Sequence, residues 1–547
     1  MGRGERPGNG LFADHRASEG RAGTRAGDPV RCGGRTARGG AALADQPHRG
    51  SLPNRQPGAG RLAITAGAGA GASLRAGDTV SIDDVYAHID AGFGAALEEL
   101  AYLVGIAGVS ASPTEDLALC AQAVQHSVCG SGLRTHLIEG FGPPAVYGEC
   151  IVDPGRPTVL IYGHYDVQPA ETSAHWQGDP FEPTIRDGRM YGRGTSDNKG
   201  QHLAQLWALR ATLAAHGELP VNVKVLIEGE EEIGSPHLAE LVRENRHLLA
   251  ADLAITSDGP VHRSGMPQLV LGTRGQLGVE LCTRGANRDA HAGSLGGLLP
   301  DAAQQLTQAL ATLWKPSGEI AVAGFFDDVR PPTPAESANL AGLPLDLKDH
   351  FSDYDITELP SPEGRDYYER LMLRPTMTIT GLTSGYTGPG MKTVISSSAR
   401  AHLDMRLVPG QHPDEIFRLL QVHLAQHAPM VGLTRLSSIP PSRTALDNPY
   451  VAILAGAVAQ AIGVIPFVVP SLGSSLPNYV FTDILGIPSI LVPYANPDQN
   501  NHAPNENFEL SRFKDGMRIC ATILEHVGSH TVERSEGNVR LEQERVE

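Results

Sequence analysis

Three short apolar runs each break off into acidic or imidazole side chains, and that repeated pattern restricts the fold more than any other feature of the chain. They are "TVLIYGHYDV" (158–167), "VNVKVLIEGEEEIGS" (221–235) and "ADLAITSDG" (251–259). Each run has strand length and reads as a buried strand that ends in polar residues. Between the first two, "KGQHLAQLWALRATLAAHG" (199–217) has the spacing of an amphipathic helix. Strands alternating with helices, with polar groups gathered at strand C-termini, predict an α/β fold with a mostly parallel central sheet flanked by helices.

At 547 residues the chain exceeds what one hydrophobic core normally serves, so at least two domains are expected. Order is expected to begin near Ser81. From there "SIDDVYAHIDAGFGAALEELAYLVGI" (81–106) sets Val85, Ile89, Phe93, Leu97, Leu100 and Leu103 at helical spacing. After residue 274 the texture changes to "FFDDVRPPTPAE" (325–336), "PTMTITGLTSGY" (375–386) and the alternating "SSSARAHLDMRLVPG" (396–410). It returns to α/β with "PYVAILAGAVAQAIG" (449–463) and "GIPSILVPYAN" (486–496). An α+β domain at 275–405, inserted between α/β halves at 81–274 and 406–530, accounts for this. Residues 531–547 read as a charged tail.

The first 80 residues differ from the rest. They hold 18 of the 63 glycines and twelve arginines against six acidic residues, a net +6 that leaves −23 for the remainder of a chain totalling −17. With no apolar periodicity, and with "AGAGAGA" at 66–72, this segment is expected to be disordered. It has no apolar h-region and does not read as a secretory signal. The acidic balance argues against nucleic acid as a partner, and no apolar run approaches the roughly 20 residues that span a bilayer. Six cysteines scattered without CxxC spacing suit a reducing cytoplasm.

The acidic ends of the runs carry the chemistry. Four glutamates in five positions (Glu228, Glu230, Glu231, Glu232) repel one another, and either a solvated loop or a cationic partner must explain them. His164 and Asp166 end the first run, Asp197 lies in "GRGTSDNKG", Asp258 ends the third, and His502 lies in "NNHAPNENF". Taken singly, such a histidine is an ordinary core or surface residue and such an aspartate a helix cap or turn residue. Together they share one sheet edge, where strand C-termini converge. Two histidines with several carboxylates suit a pair of divalent ions, zinc first, with manganese or cobalt as alternatives. One glutamate can then bind metal while its neighbour stays free to carry a proton.

"GHYDVQP", "DGRMYGRGTSDNKG", "EGEEEIGS", "SDG" and "NNHAPNENF" together resemble the di-zinc metallopeptidases, the family of carnosine dipeptidases, succinyl-diaminopimelate desuccinylase, glutamate carboxypeptidase and aminoacylase. The inserted block and "MKTVISSSARAHLDMRLVPGQHP" resemble its dipeptidase branch most. The resemblance implies a metal-dependent hydrolase of dipeptides or N-acyl amino acids, an amidohydrolase of ureido or carbamoyl groups and an inactive binding relative being the alternatives. It implies that His164, Asp197 and Asp258 hold one ion and Asp197, Glu232 and His502 the other. Asp166 would orient His164, and Glu231 would be the general base. The insertion would be a lid and dimerisation domain whose His291 steadies the oxyanion in the partner subunit's site. Arg406 would bind the substrate carboxylate, with Gly473 and Ser475 in the same subsite. A cis peptide is implied at Asp197–Asn198. One departure stands out: "SLGSSLP" (471–477) keeps Gly473 and Ser475 but lacks the Arg-Glu pair that often precedes this loop.

Overall fold

The computed structural model describes residues 81–170, 175–345 and 364–530, so the segment expected to be disordered and the charged tail lie outside the described residues. The first helix, Ile82–Val104, opens where the Ser81 amide donates to Asp84 Oδ2 at 2.8 Å, a capping contact at the expected start of order.

The larger sheet has eight strands in the spatial order Arg134–Ile138, Ala145–Cys150, Asn222–Glu228, Thr158–His164, Leu253–Thr256, Ser489–Leu491, Gln268–Val270 and Phe467–Val469. The four strands from Asn222–Glu228 to Ser489–Leu491 run parallel. Every residue of Asn222–Glu228 is buried, because its side chains alternate between two cores. Val223, Val225 and Ile227 join one core with Val159 and Ile161, while Leu226 joins the other with Leu160 and Tyr162. Helices Ile82–Val104, Lys199–His216, Pro449–Ile462 and Leu510–Ser529 cover the first face. Helix Leu238–Glu244 and the short π-helix Val480–Leu485 cover the second.

A second, antiparallel sheet orders Thr376–Ser384, Ser398–Leu407, Gly275–Arg284 and Gly432–Ile439 side by side. Its core joins Leu277, Val279, Leu281, Leu403 and Met405 to Leu306 and Leu310 of helix Ala302–Thr312 and to Ile416, Leu420 and Leu424 of helix Pro413–His427. This corrects the expected boundary at 405, which cuts the strand Ser398–Leu407. The insertion runs on to Ile439, since the amphipathic helix and last strand after 405 mimic α/β texture in sequence.

A second difference lies inside the inserted block. Leu340 of helix Pro334–Ala341 and Tyr368, Met372 and Leu373 of helix Gly364–Leu373 pack on Val270, Val469 and Leu491 of the larger sheet and on Leu476 in the loop that follows Phe467–Val469. These two helices form a strap from the insertion back onto the first domain. The chain passes between the sheets at Gly272–Thr273 and Ser442–Arg443, which pair as a short antiparallel ladder. Among the described residues, no helix is long and apolar enough to cross a membrane.

Candidate metal centre

The parallel strands deliver their C-terminal residues to one edge. His164 is the last residue of Thr158–His164, Glu231 and Glu232 occupy a turn after Asn222–Glu228, and Asp258 follows Leu253–Thr256. Asp197 precedes helix Lys199–His216, across a cis Asp197–Asn198 peptide. His502, in the left-handed region at φ 57°, lies between the strands Ser489–Leu491 and Asn507–Glu509.

The side chains form two groups that share Asp197. Its Oδ1 is 3.2 Å from His164 Nε2, which also has Asp258 Oδ2 at 3.6 Å and Glu231 Oε2 at 3.9 Å. Its Oδ2 is 3.1 Å from His502 Nε2, and that nitrogen is 3.0 Å from Glu232 Oε2. His164, Asp197 and Asp258 form one set of donor atoms within 4.8 Å of one another, and Asp197, Glu232 and His502 form the other. His164 Nε2 is buried, and none of its carboxylate neighbours meets it in hydrogen-bond alignment. A buried imidazole nitrogen without a hydrogen-bond partner, aimed at three acids, fits a divalent cation.

Electrostatics support that fit. Burial pushes Glu232 up to about 7, Glu231 well above the carboxylate range, and Asp258 upward. Hydrogen bonds to Asp197 and Glu232 push His502 up to about 10. Burial alone would raise Asp197, but its contacts with His164 and His502 hold it below the ordinary range. Without a cation, then, burial raises the proton affinity of Glu231, Glu232 and Asp258, and the carboxylates around them raise that of both imidazoles. A dication favours the opposite, because metal ligands must be deprotonated.

The surrounding residues hold these groups in place. Asp166 was expected to orient His164, and His164 Nδ1 lies 3.1 Å from its carbonyl oxygen and 3.4 Å from its carboxylate. That carboxylate also accepts the backbone N–H groups of Glu231 at 3.2 Å and Glu232 at 3.1 Å, which pins the turn. The remaining glutamates have separate partners: Glu228 accepts from Tyr162 and Ser235 hydroxyls at 2.6 and 2.7 Å, and Glu230 lies 2.7 Å from His237 Nδ1.

Three residues were not singled out from sequence. Gln168 Nε2 donates to Glu232 Oε2 at 3.0 Å. Glu506, fully buried, accepts from Arg193 at 2.9 Å and from the Gly194, Ser196 and Asp197 amides at 3.0, 3.0 and 3.1 Å. The third, Arg274, touches the loop of Gly473 and Ser475. Gln168 and Glu506 sit inside quoted motifs, so position relative to His164 and His502 was the available signal. Arg406 donates to Ser475 Oγ at 3.0 Å, which unites two residues expected in one subsite. His291 stands apart: it is exposed on Ala290–His291, and its polar neighbour is Ser294 Oγ at 3.4 Å.

An α/β sheet edge that presents two imidazoles and three acids in two groups joined by one carboxylate, with a fourth acid beside them, defines a metal-dependent hydrolase. Residues 160–526 match the model of peptidase family M20/M25/M40, and the chain belongs to that family. It is 31% identical over 395 residues to Beta-Ala-His dipeptidase of Rattus norvegicus, an alignment that covers 70% of this chain and 79% of the relative. Identity to Cys-Gly metallodipeptidase dug1 of Schizosaccharomyces pombe is 30% over 398 residues, 71% of this chain and 83% of the relative. Among solved structures, the M20 family metallo-carboxypeptidase Sso-CP2 of Sulfolobus solfataricus superimposes with a TM-score of 0.76 at 33% identity, covering 79% of this chain and 99% of that one.

Proposed function

We propose that this chain hydrolyses the amide bond of dipeptides that carry a free terminal carboxylate, with two divalent cations bound, zinc in the first place. The observation that carries the reading is Asp197, whose two oxygens are divided between the two donor groups. His164, Asp197 and Asp258 would hold one ion, and Asp197, Glu232 and His502 the other. Bound there, paired dications acidify water and polarise a carbonyl.

The chain's own residues supply the rest. Glu231 stands beside this cluster without belonging to either group, and burial raises its affinity for a proton. It takes the proton of the attacking water at its carboxylate and returns it to the leaving amine. Asp166 holds the turn that aims Glu231. Arg406, Gly473 and Ser475 bind the substrate carboxylate. His291 steadies the oxyanion in the site of a partner subunit, so the working form is a homodimer through the inserted lid. The five described cysteines are all free, which supports a reducing cytoplasm as the compartment.

The test is turnover by chelated protein reloaded with zinc or manganese, on dipeptides and on N-acyl amino acids. Dipeptides should be cleaved, with loss on chelation and recovery on reloading. Glu231→Gln should keep two ions by metal analysis and lose roughly 10²- to 10⁴-fold in kcat, the usual worth of a positioned proton carrier. Preference for N-acyl amino acids would overturn the substrate, and a fully active Glu231→Gln would overturn the base.

A further inference from the structure

We propose that the cleft between the strap, the short ladder and the inserted domain binds a free α-amino acid, with its carboxylate on Arg443 and its ammonium group at Asp447 and Asp483. The ligand is the class of product that the dipeptide reading releases, and none of the residues lining the cleft is a proposed metal ligand. Three segments enclose it. They are the start of helix Pro334–Ala341, the ladder strand Ser442–Arg443, and the turn at 408–412 that joins Ser398–Leu407 to helix Pro413–His427. Its volume is about 860 Å³, within the range of small-molecule sites.

Arg443 carries the argument. Its Nη1 donates to Glu336 Oε1 at 2.8 Å, and Glu336 Oε2 accepts the Thr333 amide at 2.8 Å, so this carboxylate has a partner for each oxygen. Arg443 Nε and Nη2 are buried and have no partner. These two N–H groups point the same way along one edge of the planar guanidinium and match the two oxygens of a carboxylate. A strut between ladder and strap needs Nη1 alone. It leaves two buried cationic donors without acceptors, and such groups are costly.

The other charges decide what else the ligand carries. Arg330, Asp447 and Asp483 also line the cleft, each exposed and without an ion pair among the described residues. His412 accepts the Asp414 amide at Nδ1, at 3.3 Å, and counts as neutral. With Arg443 and Glu336 matched to each other, one positive and two negative charges are left. A ligand with a carboxylate alone would add to that excess of acid. An α-amino acid brings an ammonium group as well and no net charge, so it suits both signs.

The experiment is calorimetric titration of the full, metal-loaded chain with leucine, isocaproate and isoamylamine. The last two each lack one of leucine's charged groups, and none of the three has an amide to cleave. Wild type should bind leucine at least about 10-fold more tightly than either, the lower bound for a lost charged hydrogen bond. Arg443→Gln should weaken leucine roughly 10- to 100-fold. The Arg443-dependent isotherm is the measurement, since leucine held at the metal centre would persist in that variant. If Arg443→Gln melts early, Asp447→Asn with Asp483→Asn decides instead, and should bring leucine down toward isocaproate. Undiminished leucine binding in Arg443→Gln, or in the double variant, would overturn the assignment, as would equal affinity of wild type for leucine and isocaproate. A chain that binds leucine in this way yet cleaves no dipeptide would count against the proposed function alone.

Discussion

Glu228 shows how far one acid in the glutamate run departs from its neighbours. Burial pushes its pKa up from the ordinary 4.5 to about 7, against the pull of hydrogen bonds from Tyr162 and Ser235. The folded chain therefore holds this proton where the unfolded chain has released it, and stability falls as pH rises from 4.5 to about 7. At about 1.4 kcal/mol per pKa unit the window is worth about 3 kcal/mol. Glu228→Gln has no proton to release, so its stability relative to wild type should rise by most of that amount between pH 5 and pH 8. Urea unfolding of chelated protein measures it, and parallel pH curves for the two proteins would refute it. Residues at this scale were unevenly legible. His164, Glu231, Glu232 and Asp258 stand out because ligand types recur at the ends of apolar runs, whereas Asp197 and His502 stand out only through the motifs "GRGTSDNKG" and "NNHAPNENF". Glu506 does not, since a buried acceptor of backbone amides looks in sequence like any acid of an Asn-rich loop. Arg274 does not either, because its Nε donates to the carbonyl oxygen of Gly473, 199 positions away.

Among the elements, period and burial decide what can be read. Strand Ser398–Leu407 alternates outward and inward along its length, with Ala399, Ala401, Leu403, Met405 and Leu407 buried, so its two-residue period was visible directly. The central strands hide their period because they are covered on both faces, and their charged ends betrayed them instead. The strap helices gave no such signal. Their apolar faces match the larger sheet, yet they stand in a stretch whose flanking strands belong to the smaller one. The alternation makes a sharp test. Leu403→Ala should cost about 2–5 kcal/mol, as for other truncations in a packed core, whereas His402→Ala one position earlier should stay within about 0.5 kcal/mol. Chemical denaturation measures the two. Because a slip of one residue exchanges the faces, a costly His402→Ala with a harmless Leu403→Ala would refute the register.

For the molecule as a whole, the question is what meets the outer edge of the lid sheet. Strand Thr376–Ser384 pairs on one side with Ser398–Leu407 and, among the described residues, is the last strand of its sheet. A bulge between Ile379 and Gly381 interrupts it, and Ile379 and Leu382 are 41% and 60% exposed. An open edge with outward apolar side chains favours pairing with another chain. His291 belongs to the same inserted domain and lies outside both donor groups, as a residue that serves a partner's site would. These two facts make one prediction. Charging the edge with Ile379→Lys and Leu382→Lys together should shift the protein to monomers in sedimentation, and turnover per chain should fall to that of His291→Ala. Each monomer should still bind its metals, since all the proposed ligands come from one chain. A monomer that turns over at the wild-type rate would show that the centre needs no second copy, and His291 would then have no part in the chemistry.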